Sequence, residues 1–360
     1  MRKKVIVSVT NDISTDQRVH KVCQSLQSMG FEVHLWGRVL ADSQQLNRPY
    51  AAKRMSLLFY KGPFFYLEYN IRLFFILLFS KCHLLLSNDL DTLLANFMVS
   101  KIKGLPLVYD SHELFPEAPE LQETPFKKKI WESLESWLLP KINHAYTVCH
   151  SIAQFYNNKY GLKMKVVRNM PYLKDSSRPN AVSKSIIYQG TMNPGRGLEL
   201  AIEMMPYLED YKLILIGDGE GLASLKVLAQ EKEVSSQIEF LGRLPFEDLK
   251  TYTEQSSIGI LFEEARALSF EYSLPNKLFD YIHANTAVLA SPLVEVKAIV
   301  DTYSVGELLK ARNPQNVAKQ IDAMFEKINS YEFAKAKNDL NWQKEEEVLK
   351  TIFSPFLSKA

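Results

Sequence analysis

The sequence predicts an α/β protein built as two Rossmann-like domains, and three observations carry that expectation. Short apolar runs rich in β-branched residues alternate with stretches of helical periodicity along most of the chain. The alternation breaks at the polar, turn-rich Lys174-Asp-Ser-Ser-Arg-Pro-Asn180, read as a linker, and then restarts. The length of 360 residues, 46% of them hydrophobic, is enough for two full cores.

In chain order, Val5-Ile-Val-Ser-Val9 suits a parallel strand buried on both faces. Ser14-Thr-Asp-Gln17 reads as a capping box opening a helix with the stripe Val19, Val22, Cys23, Leu26 and Met29. Gly30 closes that helix, and Phe31 to Trp36 begins a second strand. The turn after the first strand, Asn11-Asp-Ile-Ser14, has no G-x-G-x-x-G, which argues against a dinucleotide site there. Further strands are predicted at Leu57–Tyr60, Cys82–Ser87, Leu105–Tyr109, Ala145–Val148 and Lys165–Arg168. Beyond the linker they recur at Ser185–Tyr188, Lys212–Ile216, Ile238–Leu241, Ile258–Phe262 and Ala287–Ala290. No fixed period links the halves, so the architecture is duplicated without a solenoid repeat. An amphipathic helix around Trp342 to Phe353 ends the pattern.

Composition excludes several function classes. A net charge of +2 gives no field suited to nucleic acid. Cys23, Cys82 and Cys149 are odd in number, far apart and without zinc spacing, so they read as reduced core cysteines of a cytoplasmic protein. The apolar part of Met1 to Val9 is too short for a signal peptide, and the run Leu73 to Phe79 falls far below the roughly 20 residues of a membrane-spanning helix.

Four stretches bear chemistry. Glu271-Tyr-Ser-Leu-Pro-Asn-Lys-Leu-Phe-Asp-Tyr-Ile282 predicts a helix with Pro275 in its first turn and Leu274, Leu278, Tyr281 and Ile282 facing inward. Lys277 near the positive end of that helix is a misfit unless an anion comes to it, and Asp280 follows on a neighbouring face. A solvated lysine and aspartate are the plainer reading. Tyr188-Gln-Gly-Thr-Met-Asn-Pro-Gly-Arg-Gly197 is a strand entering a glycine-rich turn, where Arg196 can offer a planar fork to phosphate oxygens. Ile216-Gly-Asp-Gly219 is a tight turn after the next strand. Val108-Tyr-Asp-Ser-His-Glu113 sets Asp110, His112 and Glu113 just past a parallel strand, where ligands of open α/β sheets gather.

The segment Ser273-Leu-Pro-Asn-Lys-Leu-Phe-Asp-Tyr-Ile-His-Ala-Asn-Thr-Ala-Val-Leu-Ala-Ser291 resembles the donor site of family 4 glycosyltransferases. That resemblance implies the GT-B architecture, two Rossmann-like domains facing across a cleft, and a retaining transfer from a nucleotide-diphosphate sugar. The family signature is a pair of glutamates separated by seven residues; here Tyr272 stands at the first and Asp280 at the second. The resemblance implies that Asp280 holds the ribose, that Arg196 and Lys277 face the diphosphate, and that Tyr272 and Leu278 belong to the binding set. Gly190 opens the basic turn, followed by Thr191 where the family often has a second basic residue. Gly217, Gly219 and, in Phe240-Leu-Gly-Arg243, Gly242 are implied to flank the nucleobase. His112, with Asp110 and Glu113, matches the segment that meets the donor sugar or the acceptor. Arg196, Lys277 and His112 are thus the expected catalytic set. The implied division is 1–172 for an acceptor-side domain, completed by residues 340–360, and 173–339 for a donor domain.

No cofactor or metal is expected. Asn88-Asp-Leu-Asp91 looks like a metal-binding D-x-D, but it also fits a helix N-cap, and two Rossmann-like halves argue against the single-domain class that uses the metal. Glu263 and Glu264 form a carboxylate pair that could suggest double-displacement chemistry, but strand-end charges are usually just solvated and no nucleophile is assigned. Thr124 to Leu139, with Phe126, Ile130, Leu134, Trp137 and Leu138 beside three lysines, and Phe64 to Phe79 are read mainly as core, with peripheral contact at the inner face of the membrane as the other option. Expected partners are the donor and a carbohydrate or lipid-linked acceptor for polysaccharide or glycolipid synthesis. A nucleotide-sugar epimerase and an inactive binding subunit are the competing functions.

Overall fold

A computed structural model of the chain describes residues 2–41, 43–174 and 183–358. All of the anticipated linker except Lys174 lies outside them. The chain divides into two compact units, one of Met1–Asn169 with Lys344–Ala360 and one of Met170–Gln343.

The first unit holds a parallel seven-stranded sheet of β1 (Lys4–Asp12), β2 (Glu32–Arg38), β3 (Ala51–Met55), β4 (Leu84–Asn88), β5 (Leu107–Ser111), β6 (His144–Thr147) and β7 (Lys165–Val166), in the order β3-β2-β1-β4-β5-β6-β7. Its helices are α1 (Gln17–Ser28), α2 (Pro63–Phe79), α3 (Leu90–Lys103), α4 (Pro119–Gln122), α5 (Pro125–Leu138) and α6 (His150–Tyr160). The second unit has a parallel six-stranded sheet of β8 (Ser185–Gln189), β9 (Lys212–Ile216), β10 (Ile238–Gly242), β11 (Ile258–Leu261), β12 (Ala287–Ala290) and β13 (Gly306–Leu308), in the order β10-β9-β8-β11-β12-β13. With it go α7 (Leu198–Glu203), α8 (Leu222–Glu231), α9 (Phe246–Gln255), α10 (Leu268–Glu271), α11 (Asn276–Ala284), α12 (Val294–Tyr303), α13 (Pro314–Glu326) and α14 (Ala334–Asp339). The last helix, α15 (Trp342–Ser358), begins in the second unit and ends in the first, where Phe353 lies against Phe31 and Tyr146 and Arg168 pairs with Glu345 at 2.7 Å.

Both sheets reverse their strand order beside the first strand of the unit, at β1/β4 and at β8/β11. Ligands of open α/β sheets bind outside the carboxyl ends of strands at such points.

Several elements differ from the sequence reading. Leu57–Tyr60 is not a strand: Leu58, Phe59 and Tyr60 face solvent, and the edge position beside β2 goes to Ala51–Met55. The first helix is capped by Asp16, whose carboxylate accepts from the Val19 N–H at 3.0 Å, because Ser14 instead gives its N–H to Asp12. Pro275 precedes α11 as its N-cap residue. On α5 only Leu138 of the expected stripe is buried; Phe126, Ile130 and Trp137 are exposed.

Candidate active site

In the second unit the switch point is built from the ends of β8 and β11 and the start of α11. Gly190 follows β8 with φ 133°, and a Cβ there would sit 3.6 Å from Lys277 Nζ. The Gly190 N–H donates to the Ile216 carbonyl, and the Gly217 N–H to the Gly242 carbonyl at 2.8 Å, so three strand ends form a stepped shelf. A Cβ on Gly217 would run into the Gly190 carbonyl oxygen, and one on Gly219 into Met192 and Asn193. These glycines are required by close backbone packing within the unit. Gly242 has φ 67° and open space around it.

Lys277 is buried, 2.7 Å from Oε1 of the buried Glu263, and its ammonium lies over the Tyr188 ring at 3.8 Å. Arg196, partly exposed, stands 3.8 Å from the same oxygen and over Phe270 at 5.1 Å. Burial lowers the pKa of Lys277; Glu263 works against that shift and Arg196 adds to it. The misfit of a cation at this helix start is therefore met by a carboxylate of the chain itself. Glu263, read from the sequence as a solvated strand-end charge, is the hub of the cluster. Its second oxygen is buried and accepts no hydrogen bond among the described residues, and the same holds for donation by Arg196 Nε. A buried carboxylate oxygen left open beside two cations is unusual and suits a ligand hydroxyl.

Asp280 is half-buried and accepts from Gln189 Nε2 at 2.8 Å, while Thr253 donates to Gln189 Oε1 at 2.8 Å. It is thus tied to the end of β8 and is not a free surface carboxylate. Tyr272 ends α10 and is half-buried. Leu278 is fully buried in the unit's core, which assigns its side chain to packing. Thr191 contributes its carbonyl, which accepts from the Tyr188 hydroxyl at 2.6 Å.

In the first unit the ends of β1, β4 and β5 hold a chain of charges. Asp110 is fully buried and takes Arg18 Nη2 at 2.7 Å and Nε at 3.3 Å. His112 sits between two carboxylates, Asp89 on Nδ1 at 3.1 Å and Asp110 on Nε2 at 3.1 Å. Burial opposes its charge, but the two carboxylates outweigh burial and hold its pKa well above 6.5. Asp110 is raised by burial and lowered further by Arg18 and His112, ending below its usual 3.8. His112 is therefore biased toward its charged form, with both ring nitrogens engaged by carboxylates, which suits holding its position better than taking a proton. Glu113 is exposed beside it.

Asp89 is the N-cap residue of α3, as the sequence suggested, yet its side chain does not cap. At φ 58° it turns back, and Oδ1 accepts the His112 N–H at 2.8 Å. Asp91 is buried and accepts from Thr10 Oγ1 at 2.5 Å, and its second oxygen finds no partner among the described residues. Burial, then the charge of Asp89, push its pKa to about 7. Among the described residues no group of three or more His, Cys, Asp or Glu could hold a metal. Sequence reasoning missed Arg18, which carries no signal; Asp89 stands out in the D-x-D and Glu263 in the carboxylate pair at the strand end, but spacing assigns a role to neither.

Residues 171–338 match the family of group 1 glycosyl transferases, and residues 16–170 match Glycosyltransferase Family 4. No curated protein is matched at significant similarity. Among solved structures, sucrose-phosphate synthase from Thermosynechococcus elongatus superposes with a TM-score of 0.81 at 13% identity, covering 100% of both chains. Anabaena HepE in complex with UDP and glucose gives 0.78 at 14% identity, over 98% of this chain and 100% of that one. A glycosyltransferase from Rickettsia africae gives 0.74 at 14%, over 100% of both. With two family matches that meet end to end and two doubly wound sheets that carry them, the chain is a glycosyltransferase of the family 4 type with the GT-B fold.

Proposed function

We propose that this enzyme moves a sugar from a nucleotide-diphosphate donor to a carbohydrate or lipid-linked acceptor, with retention at the anomeric carbon and without a metal. The observation that supports the donor half is the convergence of Arg196 and Lys277 on Glu263 at the β8/β11 switch point. Two cations facing one carboxylate leave a net positive charge beside an opened glycine turn. A diphosphate supplies the missing negative charge.

In this reading the bond from the anomeric carbon to the diphosphate oxygen breaks, and its electron pair stays on the diphosphate. Arg196 and Lys277 stabilise that developing charge from fixed positions. The acceptor oxygen bonds to the anomeric carbon on the face the diphosphate leaves and passes its proton to the departing diphosphate oxygen, which gives retention. Asp280 takes ribose hydroxyls, the open oxygen of Glu263 takes a sugar hydroxyl, and Gly217, Gly219 and Gly242 bound the base through shape. In the first unit His112 meets the transferred sugar or the acceptor, and Asp89 and Asp110 hold its ring in place. HepE was crystallised with UDP and with UDP-glucose, which makes uridine nucleotides the first donors to try here. A role in polysaccharide or glycolipid synthesis at the cytoplasmic side belongs to the same reading.

Calorimetric titration with UDP, GDP and ADP in chelator tests the donor site. At least one should bind, and Arg196→Ala and Lys277→Ala should each weaken it by roughly 1.5–3 kcal/mol, the contribution of a charge-assisted hydrogen bond. Arg196→Ala is the cleaner arm, because its side chain is partly exposed. Unchanged affinity in both variants, or binding that requires manganese, would remove the proposal. Turnover of the donor with and without acceptor separates transfer from epimerisation and from an inactive subunit.

A further inference from the structure

Most of the exposed large hydrophobics of the described chain fall between Leu58 and Trp137. On α2 the residues Phe65, Tyr69, Leu73 and Leu77 turn inward. The opposite stripe is as apolar: Phe64 is 64% exposed, Leu67 57%, Ile71 50%, Phe75 51% and Phe79 80%. These recur at i, i+3 and i+4 and so line one face. The only charges on the helix, Glu68 and Arg72, neutralise each other at 2.7 Å, and Glu68 also accepts the N–H groups of Leu58 and Phe59. Neighbouring α5, joined through the Tyr66–Trp131 ring contact at 5.0 Å, leaves Phe126, Ile130 and Trp137 outward.

The geometry points to this pair of helices as a docking surface for an anionic lipid bilayer, with α2 lying in the plane of the interface. Charge complementarity selects the occupant. Lys61 and Lys81 bracket α2, Lys127 and Lys129 flank the α5 stripe, and none of the four makes an ion pair among the described residues. A second copy of the chain would bring the same lysines against each other. A soluble protein partner would have to cover a stripe that offers it no hydrogen bond. Apolar side chains with lysines beside them are what a helix resting in the headgroup layer uses. At 17 residues α2 is about 26 Å long, short of the roughly 30 Å hydrocarbon core, and its inner face is already packed on its own unit. No helix among the described residues is long and apolar enough to cross a membrane. The surface lies on α2 and α5, away from the donor cluster in sequence and fold unit, so it goes beyond the transfer reaction.

Sedimentation of the full chain with vesicles tests this without any nucleotide, so its failure is distinct from failure of the donor site. The protein should pellet with phosphatidylcholine vesicles containing an equal share of phosphatidylglycerol, more weakly with phosphatidylcholine alone, and less as salt rises. Lys127→Gln with Lys129→Gln should lower partitioning roughly fivefold per lysine removed. Ile71→Asp with Phe75→Ser should lower it at least about tenfold. Both double variants alter exposed positions, so they should melt near the parent and keep its nucleoside diphosphate affinity. The idea is overturned if the parent stays in the supernatant with both vesicle types, or if both double variants bind as the parent does. A dimer seen by sedimentation equilibrium that Ile71→Asp with Phe75→Ser dissolves, without vesicle capture of the parent, would instead assign the face to a second copy.

Discussion

At the scale of single residues, the donor-side cluster turns on a carboxylate that the sequence left unassigned. Lys277 was legible as a cation in an awkward place, but its partner comes from the end of β11, and nothing in local spacing joins the two. Glu263→Gln keeps the volume and removes the negative charge. Lys277 is then buried with Arg196 nearby and no counter-charge, so the unliganded protein should melt lower. A diphosphate should supply what was lost, and UDP, if it is the ligand, should raise the melting temperature of the variant by more than it raises the parent's. An equal or smaller rise in the variant would show that the ligand does not reach this cluster. Asp280 calls for a different expectation. Asp280→Asn keeps an oxygen that can accept from Gln189, so the unliganded protein should melt close to the parent, while donor affinity falls roughly tenfold. Asp280→Glu should retain more binding than Asn, and calorimetry on the pair decides it.

At the scale of elements, what was legible followed from how strongly a segment is buried. Lys212–Ile216 and Ala287–Ala290 are strands with the predicted bounds, because short apolar runs that are mostly buried have few alternatives. Edge elements carried less signal. Ala51–Met55 buries only Met55, β7 is two residues long, and Gly306–Leu308 was not predicted. The aromatic density of α2 and α5 reads from the sequence mainly as core, since periodicity alone does not say whether the second apolar face of a helix is covered. Turn glycines give a sharper element-level expectation. Gly217→Ala adds a methyl against the Gly190 carbonyl at φ 137° and should unfold or severely destabilise the second unit. Gly242→Ala meets nothing within 4 Å and should cost only the roughly 1–2 kcal/mol of a left-handed backbone. Denaturant midpoints that rank the two the other way would show that the shelf between β8 and β9 is not as tight as the strand ends imply.

At the scale of the whole molecule, two units with separate cores should respond differently to pH, and one acid in each, the buried Asp91 and the half-buried Glu307, sets opposite signs. Asp91 in the first unit keeps its proton to about pH 7, whereas the unfolded chain loses it near 3.8. Between those values the folded unit binds the extra proton, so stability is fully present below pH 3.8 and is lost as pH rises toward 7. His112, raised well above 6.5, adds stability below that value and loses it only at more alkaline pH. Glu307 in the second unit runs the other way. Burial raises its pKa, but Lys327, Gln320 and Lys310 bring it down to about 2, so its contribution is present above 4.5 and is lost as pH falls toward 2. From pH 4 to 7 the first unit should therefore weaken relative to the second, by an amount on the order of a few kcal/mol for one buried carboxyl. Amide exchange read peptide by peptide can follow each unit separately. Protection in β1, β4 and β5 should fall across that range once intrinsic exchange rates are corrected, while protection in β8, β9 and β11 should hold. Asp91→Asn mimics the protonated acid and can still accept from Thr10, so it should flatten the slope in the first unit and leave the second unit unchanged. If parent and variant lose protection in parallel between pH 4 and 7, the proton is not held at Asp91 and the slope belongs to another group.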